Sequence, residues 1–247
     1  MKGWKVAWRA WVEAGLSFVY PEVCQLCLHH RATWAEGYVC TECWQEVRFI
    51  KPPFCQVCGL PFAGALTTSF QCANCQDLNL EFNWARAAVV ARGPVLEAIH
   101  RYKYQRQMWF ENFLADLLLH EAKPALSASD WDCVVPIPLH RLKEREREFN
   151  QAERLGRRLS AATGIPMQPR LLCRIKPTTT QTRLNREDRI ENVRRAFALR
   201  QDTDLKGWRC LLVDDVFTTG STSSACGRVL RQAGAARVAV WTVARGV

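Results

Sequence analysis

The chain has 247 residues, 48% of them hydrophobic, enough to bury the core of one large domain or two modest ones. It carries 34 Lys and Arg against 24 Asp and Glu, a net charge of +10. Between Arg141 and Arg200 alone stand 14 Arg and 2 Lys against 7 acids, and so Arg-rich a surplus points to phosphate-bearing partners. Lys5, Arg9 and Glu13 break every apolar run near the N-terminus, and no segment approaches the ~20 apolar residues of a spanning helix. Neither a secretory signal nor a membrane span is expected, and a cytoplasmic location is, where paired cysteines mean metal rather than disulfide.

Residues 3–19 have the spacing of a short amphipathic helix, with Trp4, Trp8, Trp11, Val12 and Val19 near one face. We take residues 1–22 as this N-terminal helix, packed against the neighbouring module. Residues 23–83 are rich in Cys, Pro and Gly and poor in long periodic runs, a composition held together by metal rather than by a large core. Its cysteines form four CxxC pairs, Cys24/Cys27, Cys40/Cys43, Cys55/Cys58 and Cys72/Cys75, separated by 12, 11 and 13 residues. Each CxxC turn aims two thiolates at one centre, and a tetrahedral zinc takes two turns, so two closed four-cysteine sites of structural zinc are expected. Spacing leaves open whether the pairs join in sequence or interleave. His29 and His30 lie close enough to substitute for a cysteine, though eight thiolates suffice.

From residue 84 to 247 strands and helices alternate. Strands are expected at Ala87–Ala91, Cys133–Val135, Arg209–Val213 and Val238–Val243. Helices are expected from Val95 through Tyr102, and at Phe113–Ala122, Asn150–Ala162 and Ser223–Ala233, the last stopped by Gly234. Such alternation gives an α/β domain with a parallel sheet. Cys133, Cys173, Cys210 and Cys226 stand singly in apolar segments and are read as core.

The segment Leu211 to Thr222 carries the sharpest chemistry. A buried strand ends at Asp214 and Asp215, and a loop of Thr218, Thr219, Gly220, Ser221 and Thr222 then opens a helix. Ligands of open α/β sheets bind beyond the carboxyl ends of strands. A helix N-terminus attracts an anion, and Gly220 lets the backbone approach it. The hydroxyls suit a phosphate, and the two carboxylates suit a neighbouring diol, so ribose beside its own phosphate satisfies both halves.

This segment resembles the signature of type I phosphoribosyltransferases, which bind phosphoribosyl pyrophosphate with magnesium. The resemblance implies that Asp214 and Asp215 hold the ribose hydroxyls, as the catalytic pair, and that Thr218 to Thr222 cradle the 5-phosphate. A narrower resemblance spans nearly the whole chain. Val135-Pro136-Ile137-Pro138-Leu139-His140, then Arg147, Phe149, Asn150 and Gln151, then Gln181 and the run from Arg189 to Phe197, are similar to the competence protein ComF family, including its GntX members. That family joins an N-terminal cysteine zinc module to a phosphoribosyltransferase-like domain and is associated with uptake or use of external DNA. Where the family has glycine before Phe-Asn-Gln, Glu148 stands here.

The loop after Pro138 takes the place of the pyrophosphate loop, with Asn150 and Gln151 as first candidates; Arg141, Arg145 and Arg147 are either further anion contacts or, alternating with Glu144, Glu146 and Glu148, an ion-paired helix surface. Residues 176–192, with Arg183, Arg186 and Arg189, take the place of the mobile loop over the active site. Lys103 and Tyr104, in a Tyr-Lys-Tyr run beside Arg101 and Arg106, mix cations with aromatics as single-stranded nucleic-acid surfaces do, and core packing by the two tyrosines explains the run equally well. Two functions are compatible with these features. One is a DNA-uptake or DNA-utilisation accessory protein with a phosphoribosyl pyrophosphate or nucleotide loop, basic loops for single-stranded DNA, and DNA-uptake machinery proteins as partners. The other is an active phosphoribosyltransferase on an unknown acceptor. The residues placed to form a hood over an attacking base precede Trp84 and are committed to metal, which favours the first.

Overall fold

The computed structural model describes residues 22–62, 64, 70–76, 79–176 and 195–247. The N-terminal helix expected at 3–19 lies outside these residues, as do Gln181, Arg183, Arg186 and Arg189. Two short helices belong to the cysteine-rich segment, α1 (Thr41–Gln45) and α2 (Ala73–Gln76). The α/β portion runs β1 (Trp84–Val90), α3 (Gly93–Tyr104), α4 (Phe110–Ala125), β2 (Cys133–Pro136), α5 (Arg141–Arg147) and α6 (Gln151–Thr163). After it come β3 (Leu172–Arg174), β4 (Phe197–Leu199), β5 (Arg209–Phe217), α7 (Ser221–Gln232) and β6 (Arg237–Arg245).

Four strands form one parallel sheet in the order β1-β6-β5-β2, and β3 and β4 form a separate antiparallel pair. The near-continuous apolar strands are explained by burial on both faces. Alternate residues feed two cores: Val134, Leu211, Val213, Ala239, Trp241 and Val243 face one side, and Cys133, Val135, Cys210, Leu212, Val238 and Val240 the other. The first side is covered by α3, α4 and α6, through Ile99, Phe113, Leu114, Leu117, Leu155 and Leu159. The second is covered by α7 and the β3-β4 pair, through Ala225, Cys226, Leu230, Leu172 and Phe197. Cys133, Cys210 and Cys226 are fully buried, in keeping with a core role, while Cys173 is half-buried.

The cysteine-rich segment divides between the two faces. Cys24, Val39, Cys40, Cys43 and Val47 join the first core, and Cys55, Cys58, Cys72 and Cys75 the second. The chain crosses from one side to the other along the edge of β1. There Ile50 N–H donates to the Ala88 carbonyl at 2.9 Å, and Val90 N–H to the Arg48 carbonyl at 2.9 Å. The outer strand is thus paired by its own chain rather than left open.

Several boundaries differ from the sequence reading, and α5, β3 and β4 add to the expected elements; the changes at β5 and α7 flank the loop. Strand β5 runs on to Phe217 because its partner continues: Val216 pairs with Ala244 and Phe217 with Arg245. The two aspartates therefore lie within the strand, and the loop shrinks to Thr218–Gly220. Helix α7 ends at Gln232 with Ala233 as its cap, and Gly234, at φ +101°, comes next in the left-handed region where a side chain would be strained.

Candidate functional site

An open cleft of about 400 Å³ lies beyond the carboxyl ends of the strands. Asp214, Asp215, Thr218 and Thr222 line it, with Lys103, Tyr104, Arg147, Asn150, Gln151 and Arg174 around them. The structure therefore brings the aspartate strand, the hydroxyl loop and the loop after Pro138 into one place. Thr219, Gly220 and Ser221 complete the loop beside it.

Gly220 is the N-cap of α7 at φ +80°, and a Cβ there would fall 2.7 Å from the Phe217 ring. Both the backbone twist and the close approach demand glycine. Gly220 has no side chain with which to cap α7, and the side-chain acceptor at its first turn is Thr219 Oγ1, which receives Ser221 N–H at 3.4 Å. Thr219 and Ser221 hydroxyls contact each other at 2.9 Å, holding the loop's donors together.

The two aspartates differ. Asp215 is buried and its Oδ2 lies 2.7 Å from Lys103 Nζ. Burial pulls the Lys103 ammonium down, but the carboxylates of Asp215 and Asp214 more than offset it and hold its pKa above the usual lysine value. Asp214, the preceding residue of the strand, is only half-buried at the residue level. Desolvation of its carboxyl and the neighbouring Asp215 charge nevertheless push its pKa up to about 8, with Lys103 pulling the other way. The sequence pattern leaves the run between a nucleic-acid surface and core packing; the structure makes Lys103 the internal counter-ion of the strand. Tyr102 beside it is core, whereas Tyr104 is exposed and packs on His100 with ring centroids 4.7 Å apart.

Asn150 caps α6, accepting from Ala152 N–H at 3.0 Å, and its amide donates to the Ile137 carbonyl at 3.1 Å. Its polar ends are spent on holding the loop in shape. Gln151 is buried; its Oε1 accepts from Arg147 at 3.2 Å, and its Nε2 has no partner among the described residues. Arg147 also lies 5.0 Å from the Tyr104 ring centroid, so it faces the cleft, while Arg141 and Arg145 are exposed. Glu148, the departure from the family's glycine, caps α5 at φ +69°. That left-handed backbone explains why glycine suits the position. Here the glutamate is met by Arg106, 2.6 Å away.

The cysteines join in sequence. Cys24, Cys27, Cys40 and Cys43 form one cluster and Cys55, Cys58, Cys72 and Cys75 another, each set of sulfurs within 4.8 Å of one another. A tetrahedral zinc with ~2.3 Å bonds holds its sulfurs about 3.8 Å apart. The observed Cys24–Cys43, Cys27–Cys40 and Cys58–Cys72 separations are 3.8, 3.7 and 3.6 Å. Backbone N–H groups of Cys43 and Cys72 reach Cys40 and Cys55 sulfurs at 3.5 and 3.3 Å, which suits thiolate acceptors. The donor sets fit zinc, and four protein ligands per site leave no place for a reacting water. His30 Nδ1 stays outside the first set, 3.7 Å from Cys27 Sγ.

Residues 15–77 match the double zinc ribbon domain family, which with the two clusters supports structural zinc. Nearly the whole chain aligns with Competence protein F of Haemophilus influenzae, 31% identical over 89% of this chain and 96% of that protein. The chain belongs to the competence protein F family. DNA utilization protein YhgH of Escherichia coli is 32% identical over 91% of this chain and 97% of its own. Competence protein ComFC of Bacillus subtilis is 24% identical over 92% and 96%. Among solved structures, a glutamine phosphoribosylpyrophosphate amidotransferase from B. subtilis is 24% identical over 53% of this chain and 25% of its own, with a TM-score of 0.35. Among the described residues no helix is long and apolar enough to cross a membrane.

Proposed function

We propose that the protein is a DNA-uptake or DNA-utilisation accessory protein whose cleft takes the ribose-5-phosphate part of phosphoribosyl pyrophosphate or of a nucleotide. The names of its relatives support the competence role. The observation that carries the ligand is the start of α7 at the left-handed Gly220, where the N-cap residue supplies no side-chain cap, in the same cleft as the Asp214 carboxyl. Thr218 to Thr222 receive the phosphate and Asp214 accepts from a ribose hydroxyl. Asp215 orders the strand through Lys103. Gln151 Nε2 and Arg147 meet the pyrophosphate, with magnesium neutralising part of its charge. The unit that does this is residues 84–247, with 23–83 as the zinc module. The Arg-rich region from Arg141 to Arg200, including Arg183, Arg186 and Arg189, binds single-stranded DNA by its phosphates.

Calorimetry of phosphoribosyl pyrophosphate with magnesium, and of a nucleoside monophosphate, tests the cleft. Binding is expected in the native protein and lost on replacing Asp214 and Asp215 together by Asn. Unchanged affinity in that variant defeats the assignment.

A second reading, an active phosphoribosyltransferase, draws on Asp214, whose carboxyl near pKa 8 can exchange a proton at neutral pH. Release of pyrophosphate when a nucleobase and phosphoribosyl pyrophosphate are supplied together decides for it.

A further inference from the structure

The second cysteine cluster and the phosphate loop share one side chain. Arg245, the last residue of β6, is 5% exposed. Its Nε donates to the Cys58 carbonyl at 3.3 Å, and its Nη2 lies 3.7 Å from Cys58 Sγ. Its Nη1 donates to the carbonyls of Thr218 at 2.7 Å and Phe217 at 3.2 Å, and also to that of Gly246. The guanidinium stands 4.9 Å from the Phe217 ring centroid, and that ring closes over Gly220. One buried group thus touches a metal ligand and the backbone that opens the phosphate loop.

Its charge needs an anion. Among the described residues no carboxylate lies within ion-pair distance of Arg245. A buried guanidinium served only by carbonyl dipoles is a costly arrangement. Zinc held by four thiolates is a net dianion, and Cys58 presents that charge directly to the guanidinium. Arg86 approaches the same ribbon from β1, donating to the Gln56 carbonyl at 3.0 Å, so two cations border this cluster.

We infer that the metal–thiolate cluster at Cys55, Cys58, Cys72 and Cys75 is the counter-ion of Arg245, and that through Arg245, a positioning residue, this metal holds the Thr218–Gly220 loop in its observed shape. Loss of the metal removes the anion, and the Phe217 and Thr218 carbonyls lose their fixed donor. By linkage, a ligand that orders the loop raises the affinity for this metal. Only that last consequence rests on the proposed function.

The experiment compares the native protein with Arg245→Gln, reading zinc release to a chromogenic chelator and amide hydrogen exchange. One of the two zincs is expected to leave about tenfold faster or more, as for other groups bonded to metal ligands. The amides of 217–222 are expected to exchange faster while those of 24–43 do not change. Unchanged release of both zincs, or equal acceleration of both, overturns the inference. If the variant does not fold, the native protein is chelated until 55–76 lose protection. Protection retained at 217–222 in that state also overturns it, and parallel loss sustains it. Neither readout uses a ligand, so failure of phosphoribosyl pyrophosphate and nucleotides to bind the native protein would count against the proposed function alone.

Discussion

Lys103 Nζ lies 2.7 Å from Asp215 Oδ2, with the two side chains 18% and 6% exposed, so a helix and a strand neutralise each other at the floor of the cleft. Removing one partner leaves a buried charge unmatched, whereas removing both does not. Lys103→Met is expected to destabilise the protein by about 3–5 kcal/mol in urea unfolding, and the double variant Lys103→Met with Asp215→Asn to recover most of that loss. Additive losses in the two single variants contradict the pairing.

The raised pKa of Asp214 gives a pH dependence with a definite sign. The unfolded carboxyl loses its proton near ~3.9, whereas the folded one keeps it to about 8. In that window the folded state binds more protons, so this residue's contribution to stability falls as pH rises from about 4 to 8. Ligand binding runs the other way, because the ionised carboxyl is the stronger acceptor for a ribose hydroxyl. Affinity for phosphoribosyl pyrophosphate is expected to rise as pH passes 8, and Asp214→Asn to flatten that rise in calorimetry between about pH 6 and 9.5.

Glu148 sits at φ +69° in a turn that favours glycine. Alanine keeps the strain and loses the contact with Arg106, whereas glycine relieves the strain. Glu148→Ala is therefore expected to unfold at lower denaturant than Glu148→Gly, by about 1 kcal/mol. Equal midpoints for the two variants count against strain at this position.

Elemental analysis is expected to return two zinc ions per chain, one for each cluster. Because Cys24, Cys40 and Cys43 share a core with α4 and α6, and Cys55 and Cys58 share one with α7, chelation should lower the melting temperature of the whole protein. A melting transition of the α/β portion that ignores chelator contradicts that packing.

Affinity for single-stranded DNA is expected to drop by roughly 0.7 log units per phosphate contact for each tenfold rise in salt. Replacing Arg183, Arg186 and Arg189 together by Ala should flatten that slope, and the Asp214 and Asp215 variant should leave it nearly unchanged. An oligonucleotide that does not bind at low salt sinks the DNA reading.

The eight metal-site cysteines and the strand-to-helix loop at Leu211–Thr222 were legible because local spacing alone specifies a CxxC turn and a hydroxyl-rich helix start. The main strands and helices were legible for the same reason, since apolar periodicity is local. What escaped depends on pairing across the fold. The last residues of β5 were missed because they exist as strand only where β6 continues beside them to Arg245. The joining of CxxC pairs was open because gaps of 12, 11 and 13 residues allow either scheme. A Tyr-Lys-Tyr run reads alike whether its lysine meets solvent or a carboxylate, so the place of Lys103 stayed open. Arg245 gave no local signal at all, being one arginine at the end of an apolar strand.

The crossing of residues 48–50 along β1 bears on how the protein behaves when cut. An α/β portion separated at Trp84 would bare the Ala88 carbonyl and the Val90 N–H that now bond to Ile50 and Arg48. Such an uncovered strand is a template for the same strand of another molecule. The truncated form should therefore self-associate and precipitate, with the cysteine-rich segment serving the intact chain as a built-in guard against aggregation.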